Sequence, residues 1–144
     1  MYPRSNVLGI LTQNKQILVE EHSGKHSKGS GLYYRPIGGT IEWGEYSQEA
    51  LIREFHEELG VEIVINHHVK CIENIFKIDE NIGHEITQIY LVDFSDPKLY
   101  EVERFKVTEG DKITYARWIP VADFEHGHKT LYPNALIDLL KELP

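Results

Sequence analysis

The chain has 144 residues, of which 41% are hydrophobic and 26% charged, with a formal net charge of −8. That length can bury a sizeable core, and no apolar run is long enough to span a membrane. So acidic a chain is a poor non-specific binder of nucleic acid or of an anionic membrane surface.

In chain order, Val7–Leu11 and Gln16–Glu20 read as two strands around the polar turn Thr12–Lys15. His22–Gly31, HSGKHSKGSG, reads as a small-residue, basic surface loop that could also reach a phosphate or a base. Leu32–Arg35 reads as a short strand leading into Pro36–Gly39. Ser47–Leu59 predicts a helix, with Ser47 at the N-cap, Glu49 in the first turn and Gly60 past the end. Strands follow at Ile63–Ile65, Val69–Phe76, Glu85–Phe94, Phe105–Val107 and Ile113–Ile119. A last helix runs from Pro133 through Leu140 and turns Leu136, Leu139 and Leu140 to the core. This is a mixed α+β chain with two helices and a strand-rich body, expected to form one domain over residues 1–144.

At about 100° per residue, Leu51, Ile52, Phe55 and Leu59 share one arc of the Ser47–Leu59 helix. Glu54, Glu57 and Glu58 share another, at the edge of the apolar face. Carboxylates at such spacings repel by only about 0.2–0.5 kcal/mol per pair, so spacing alone also allows a solvated acidic face. The preceding turn favours a metal site. Hard cations such as Mg²⁺ or Mn²⁺ take carboxylate, carbonyl and phosphate oxygens. The Gly38-Gly39 turn can bring a backbone carbonyl to the same ion. Arg53 can hold a carboxylate in one rotamer through its planar fork, which favours a structural role over substrate contact.

These residues carry a family resemblance. Gly39, Glu45, Arg53, Glu54, Phe55, Glu57, Glu58, Gly60 and Val61 fill every defined position of a signature over residues 39–61. The segment resembles the Nudix box of the Nudix (MutT-like) hydrolases. The resemblance implies an α/β/α sandwich around a mixed β-sheet. It also implies a metal-dependent enzyme, using Mg²⁺ or Mn²⁺, that hydrolyses a nucleoside diphosphate linked to a group X by attack of water on phosphorus. By position, Glu54, Glu57 and Glu58 become the metal ligands, with a Gly38 or Gly39 carbonyl. Glu54 or Glu57 orients or deprotonates the water, and Glu45 and Arg53 support the network. An extra acid from outside the box is assigned to Glu109, with Glu101, Glu103 and Glu85 as alternatives.

One position departs from the family: Ile37 stands where many members have proline, and the proline is Pro36. No proline lies between Pro36 and Pro97, and markers of diadenosine-polyphosphate, NADH and coenzyme A members are missing. A nucleoside triphosphate is then the leading substrate type. Two rivals stand beside it: a non-catalytic nucleotide-sensing module on the same fold, and an RNA 5′-end pyrophosphohydrolase, which the net charge opposes.

Arg35 is expected on a substrate phosphate, Tyr33 on a base or in packing, and His84 in the substrate groove. Trp43 reads as a stacking residue or a surface flap. The eight histidines lack cysteine partners at zinc-finger spacing and read as structural or solvated. Cys71, the lone cysteine, reads as a small buried hydrophobe, and its solitude with the absence of an apolar leader fits the cytoplasm. The partner is a small nucleotide rather than a membrane or nucleic acid, and a homodimer is one arrangement the sequence leaves open.

Overall fold

The computed structural model describes residues 2–143. Nine strands run as β1 (Arg4–Ile10), β2 (Thr12–Gln13), β3 (Gln16–His26), β4 (Gly29–Arg35), β5 (Ile37–Thr40), β6 (Ile63–Ile78), β7 (Asn81–Phe94), β8 (Arg104–Glu109) and β9 (Lys112–Pro120). Three helices join them: α1 (Ser47–Leu59), α2 (Val121–Glu125) and α3 (Leu136–Lys141), with a 3-10 turn at Pro97–Glu101. One sheet has the order β5-β1-β7-β6; the other is β2-β3-β9-β8, with β4 on β3. β1 runs parallel to β7 and antiparallel to β5, so the first sheet is mixed.

Strand alternation builds two cores. β1 sends Val7 to one side, where Leu51 and Phe55 of α1 meet Phe94, Phe105 and Val107. It sends Leu8 and Ile10 to the other, where Ile17, Val19, Ile89 and Tyr34 pack with Leu136, Leu139 and Leu140. Helices thus cover both sides of the sheets. Among the described residues no helix is long and apolar enough to cross a membrane.

α1 forms where expected, but its ends and its buried face differ in detail. Ser47 is its first residue and not the cap: its hydroxyl lies 2.7 Å from the Tyr90 hydroxyl. Glu49 accepts the Tyr46 N–H instead, at 3.4 Å. Gly60 closes the helix in the left-handed region (φ 69°), and its N–H donates to the His56 carbonyl at 3.0 Å. Ala50 and Leu51 are buried with Phe55, whereas Ile52 is exposed. The packed arc is therefore rotated toward Glu58, which becomes buried in turn.

The segment expected to be a loop at His22–Gly31 is a hairpin. β3 and β4 stay paired from Glu20↔Arg35 to His26↔Gly29. The hairpin tip is tied down by Tyr132, whose hydroxyl lies 2.7 Å from His26 Nδ1 and accepts the Lys28 N–H at 3.0 Å. β6 is one long strand, not two, because its interruptions near Asn66 and Val69 are register shifts within a continuous ladder. The last helix begins at Leu136, and α2 adds a third helix to the two expected. Cys71 is exposed, not buried, and accepts the Gln88 amide at 3.3 Å.

Candidate active site

Arg53 is the hub of the box residues. Its Nε and Nη2 donate to the two oxygens of Glu45 at 2.8 and 2.9 Å, a bidentate pair. Its Nη1 donates to Glu54 at 3.0 Å and to Glu57 at 3.2 Å, and its Nη2 also reaches the Thr40 carbonyl at 3.1 Å. Glu45 in addition accepts the Glu42 N–H at 3.1 Å, which closes the turn before α1. The Arg53 guanidinium beside it holds the Glu45 carboxyl down at about 2. This is the carboxylate-holding part that the planar fork suggested for Arg53.

The glycine pair makes room for the cluster. A Cβ on Gly39 would lie 2.5 Å from the carboxyl carbon of Glu54, so only a bare backbone lets that carboxylate approach β5. A Cβ on Gly38 would run into the Val7 carbonyl of β1 instead.

Glu58 faces inward from the same helix. It is 7% exposed, and its Oε2 is buried with no hydrogen-bond partner among the described residues. Burial, then the charges of Glu54, Glu20 and Glu109, push its carboxyl up to about 9. Burial likewise raises the Glu54 carboxyl, against the pull of Arg53. Glu109, the last residue of β8, thus faces the cluster electrostatically. Of its alternatives, Glu101 ends the 3-10 turn, Glu103 lies just beyond it, and Glu85 is buried elsewhere.

Glu20 is a member of the site that sequence reasoning missed. It lies on β3, is buried, and accepts from the Thr114 hydroxyl. Burial pushes its carboxyl up, but His22, Thr114 and Lys112 outweigh that and hold it below its ordinary value. The available signal was a charged residue closing the apolar run Ile17, Leu18, Val19.

Arg35 and Tyr33 lie beside this acidic pole on β4. Arg35 stands opposite Glu20 in the ladder, and its Nη2 donates to buried Glu85 at 3.2 Å. Glu85 also accepts from Arg4 at 3.4 Å and from Asn6 at 3.2 Å. The Tyr33 ring stacks on His22, 5.1 Å between centroids and 15° between planes. Arg4, Tyr33, Arg35, Phe76, Glu85 and Tyr132 line a groove of about 220 Å³. His84 does not line it: it sits on the opposite face of β7 from Glu85, and its Nε2 is buried without a partner. Trp43 is fully exposed.

Among the described residues no three His, Cys, Asp or Glu side chains converge as a finished metal cluster. Glu54 and Glu57 are instead paired with Arg53. The donor chemistry nonetheless suits a hard divalent cation. An uncompensated buried carboxylate oxygen surrounded by further carboxylates is stabilised by positive charge.

The comparisons bear on the family and the fold. Residues 2–139 match the model of the NUDIX domain. A MutT NUDIX hydrolase from Burkholderia pseudomallei has a similar structure, with TM-score 0.69 and 19% identity over 100% of both chains. So do the E. coli ORF135 protein (TM-score 0.62, 22% identity, 98% of this chain and 88% of that one) and a MutT protein from Methanosarcina mazei Go1 (0.66, 16%, 97% and 92%). No curated protein matches the chain. The mixed sheet, its helices and the intact box therefore have one family in common, and the chain belongs to the Nudix hydrolases, enzymes that act on the pyrophosphate bond of nucleoside diphosphate-linked substrates and generally need divalent metal ions.

Proposed function

We propose that this chain is a Mg²⁺- or Mn²⁺-dependent pyrophosphohydrolase of a nucleoside diphosphate linked to a group X, with nucleoside triphosphates as the leading substrates. The observation that carries this reading is the buried, unpartnered Glu58 oxygen at the centre of a carboxylate cluster. Glu54, Glu57 and Glu58, with a carbonyl of Gly38 or Gly39 and with Glu109, would hold the cation. When bound, it supplies charge to the phosphoryl oxygens and lowers the pKa of a coordinated water.

The side chains then have separate tasks. Arg53 fixes Glu45 and limits the rotamers open to Glu54 and Glu57. Glu57, more than half exposed, is the cluster carboxylate best placed to take a proton out to solvent. Burial raises the Glu58 carboxyl, and a bound cation would offset that burial. Arg35 meets phosphate and Tyr33 stacks on a ring.

The test is release of phosphate or mononucleotide from a panel of nucleotides with Mg²⁺ or Mn²⁺. Turnover of at least one member, abolished by chelation, is expected. A folded, metal-bound protein that turns over none of them overturns the reading.

A further inference from the structure

The groove beside the acidic cluster has the opposite electrostatic character from the rest of the chain. Around its 220 Å³ volume the cations Arg4, Lys25 and Arg35 face a single carboxylate, Glu85. A wider cleft of about 580 Å³ shares Lys25, His26, Ser27 and Ile78 with it and adds Lys77 and Asp79. Over both parts, four cationic side chains meet two acidic ones, within a chain whose net charge is −8.

Glu85 does not cancel the groove's charge; it arranges it. Its side chain is 6% exposed and binds one nitrogen of Arg35 and one of Arg4. Arg4 spends one further N–H on the Thr40 hydroxyl, at 2.9 Å. The remaining N–H groups of both guanidiniums have no side-chain or backbone acceptor among the described residues. Two held, oriented donors with unused N–H groups form a receptor for an anion rather than a closed ion pair. Lys25 reaches the groove from the β3–β4 tip. Among the described residues it is paired with Asp79 alone, at 3.3 Å, in an exposed ion pair that a ligand can displace at small cost.

The walls add ring recognition. Tyr33 and Tyr132 stand edge to face, 5.7 Å between centroids, and Phe76 also lines the groove. One fork is enough for a carboxylate. Three cations lining one groove suit a group with several oxygens and a charge near −2.

We infer that this groove is a subsite for a phosphomonoester carried on a ringed group at the far end of the substrate. The inference rests on the hydrolase reading and moves its leading substrate from a nucleoside triphosphate to a phosphorylated dinucleotide. A nucleoside triphosphate places a terminal phosphate there without a ring, whereas a dinucleotide with a phosphorylated far ribose places both.

The test uses probe pairs that differ in a single group. Binding of NADPH against NADH, and of coenzyme A against dephospho-coenzyme A, is measured by calorimetry without divalent cation. Turnover of the same pairs is measured with Mg²⁺. A third pair, UDP-glucuronate against UDP-glucose, reports on a carboxylate in place of a phosphate. The phosphorylated member of at least one of the first two pairs is expected to bind about tenfold tighter, a difference of about 1.4 kcal/mol. The carboxylate pair should differ by less. Lys25→Gln, at an exposed tip, should cut the phosphate preference severalfold, and Arg35→Lys, which keeps a charge for Glu85, should cut it further. Equal affinities within both phosphate pairs overturn the inference. So does a preference that both variants leave intact, or a carboxylate preference as large as the phosphate one. A phosphate preference in binding without turnover of any probe would leave the subsite standing and count against the hydrolase reading.

Discussion

Glu20 and Arg35 stand directly opposite one another in the β3–β4 ladder, and the negative pole of the site meets its positive pole at that pair. Glu20 belongs to the carboxylates that raise Glu58, and Arg35 to the cations held by Glu85. Under the proposed function, a diphosphate would lie between the bound cation and the Arg35 guanidinium.

Glu57→Gln and Glu58→Gln should each lower kcat by about two orders of magnitude or more, on the scale of removing a group that stabilises charge in the transition state. Far-ultraviolet circular dichroism should be unchanged in both. Wild-type rates in the two variants would refute the site assignment.

The raised Glu58 carboxyl makes a pH prediction for the metal-free protein. The folded chain retains a proton that the unfolded chain releases above its ordinary value of 4.5. This contribution to stability is thus fully present below about pH 4.5 and is lost as pH rises toward about 9. The melting temperature of wild type relative to Glu58→Gln should fall across that window, and Mg²⁺ should reduce the fall. A flat difference between the two proteins would contradict the burial of an unpaired carboxyl.

Glu45 predicts the opposite slope. Its carboxyl is held at about 2, so its contribution is present above 4.5 and lost as pH falls toward about 2. Glu45→Gln should flatten the acid limb of a stability curve. Arg53→Ala removes the partner of Glu45, Glu54 and Glu57 together and should cost about 2 kcal/mol in a denaturant titration, the scale of hydrogen bonds to charged groups. Loss of catalysis without loss of stability would show that Arg53 touches substrate instead.

The two neighbouring glycines should fail differently. In Gly38→Ala the new methyl meets the backbone of β1, which cannot yield, so the protein should unfold at markedly lower denaturant. In Gly39→Ala it meets the far end of Glu54, which can swing away. That variant should keep most of its stability and lose Mn²⁺ binding, read by the paramagnetic relaxation of water protons. Equal destabilisation by both would place Glu54 elsewhere.

The parts of the fold legible in the sequence were those set by local chemistry. α1 carries its periodicity in thirteen consecutive residues with its closing glycine directly after them, and it forms from Ser47 to Leu59 as read. The hairpin at His22–Gly31 was not legible, because a run of Gly, Ser, Lys and His has no apolar alternation. Its ladder is held by pairing with β4 and by Tyr132, more than a hundred residues away. Ile52 misled for a related reason: periodicity gives an apolar arc, but the tertiary partners of Leu51 and Phe55 choose which edge of it is covered. Glu20 and Glu85 enter through long-range burial, which no local window records.

Thr40 holds Arg4 through its hydroxyl and Arg53 through its carbonyl. One residue at the end of a short strand therefore links the groove lined by Arg4 to the cluster held by Arg53. Under the proposed function that link would act as a ruler for the substrate. Polyphosphate chains one phosphate longer or shorter than the fitted one should put the wrong phosphorus before the cluster, and chain length should govern turnover as sharply as the identity of the base.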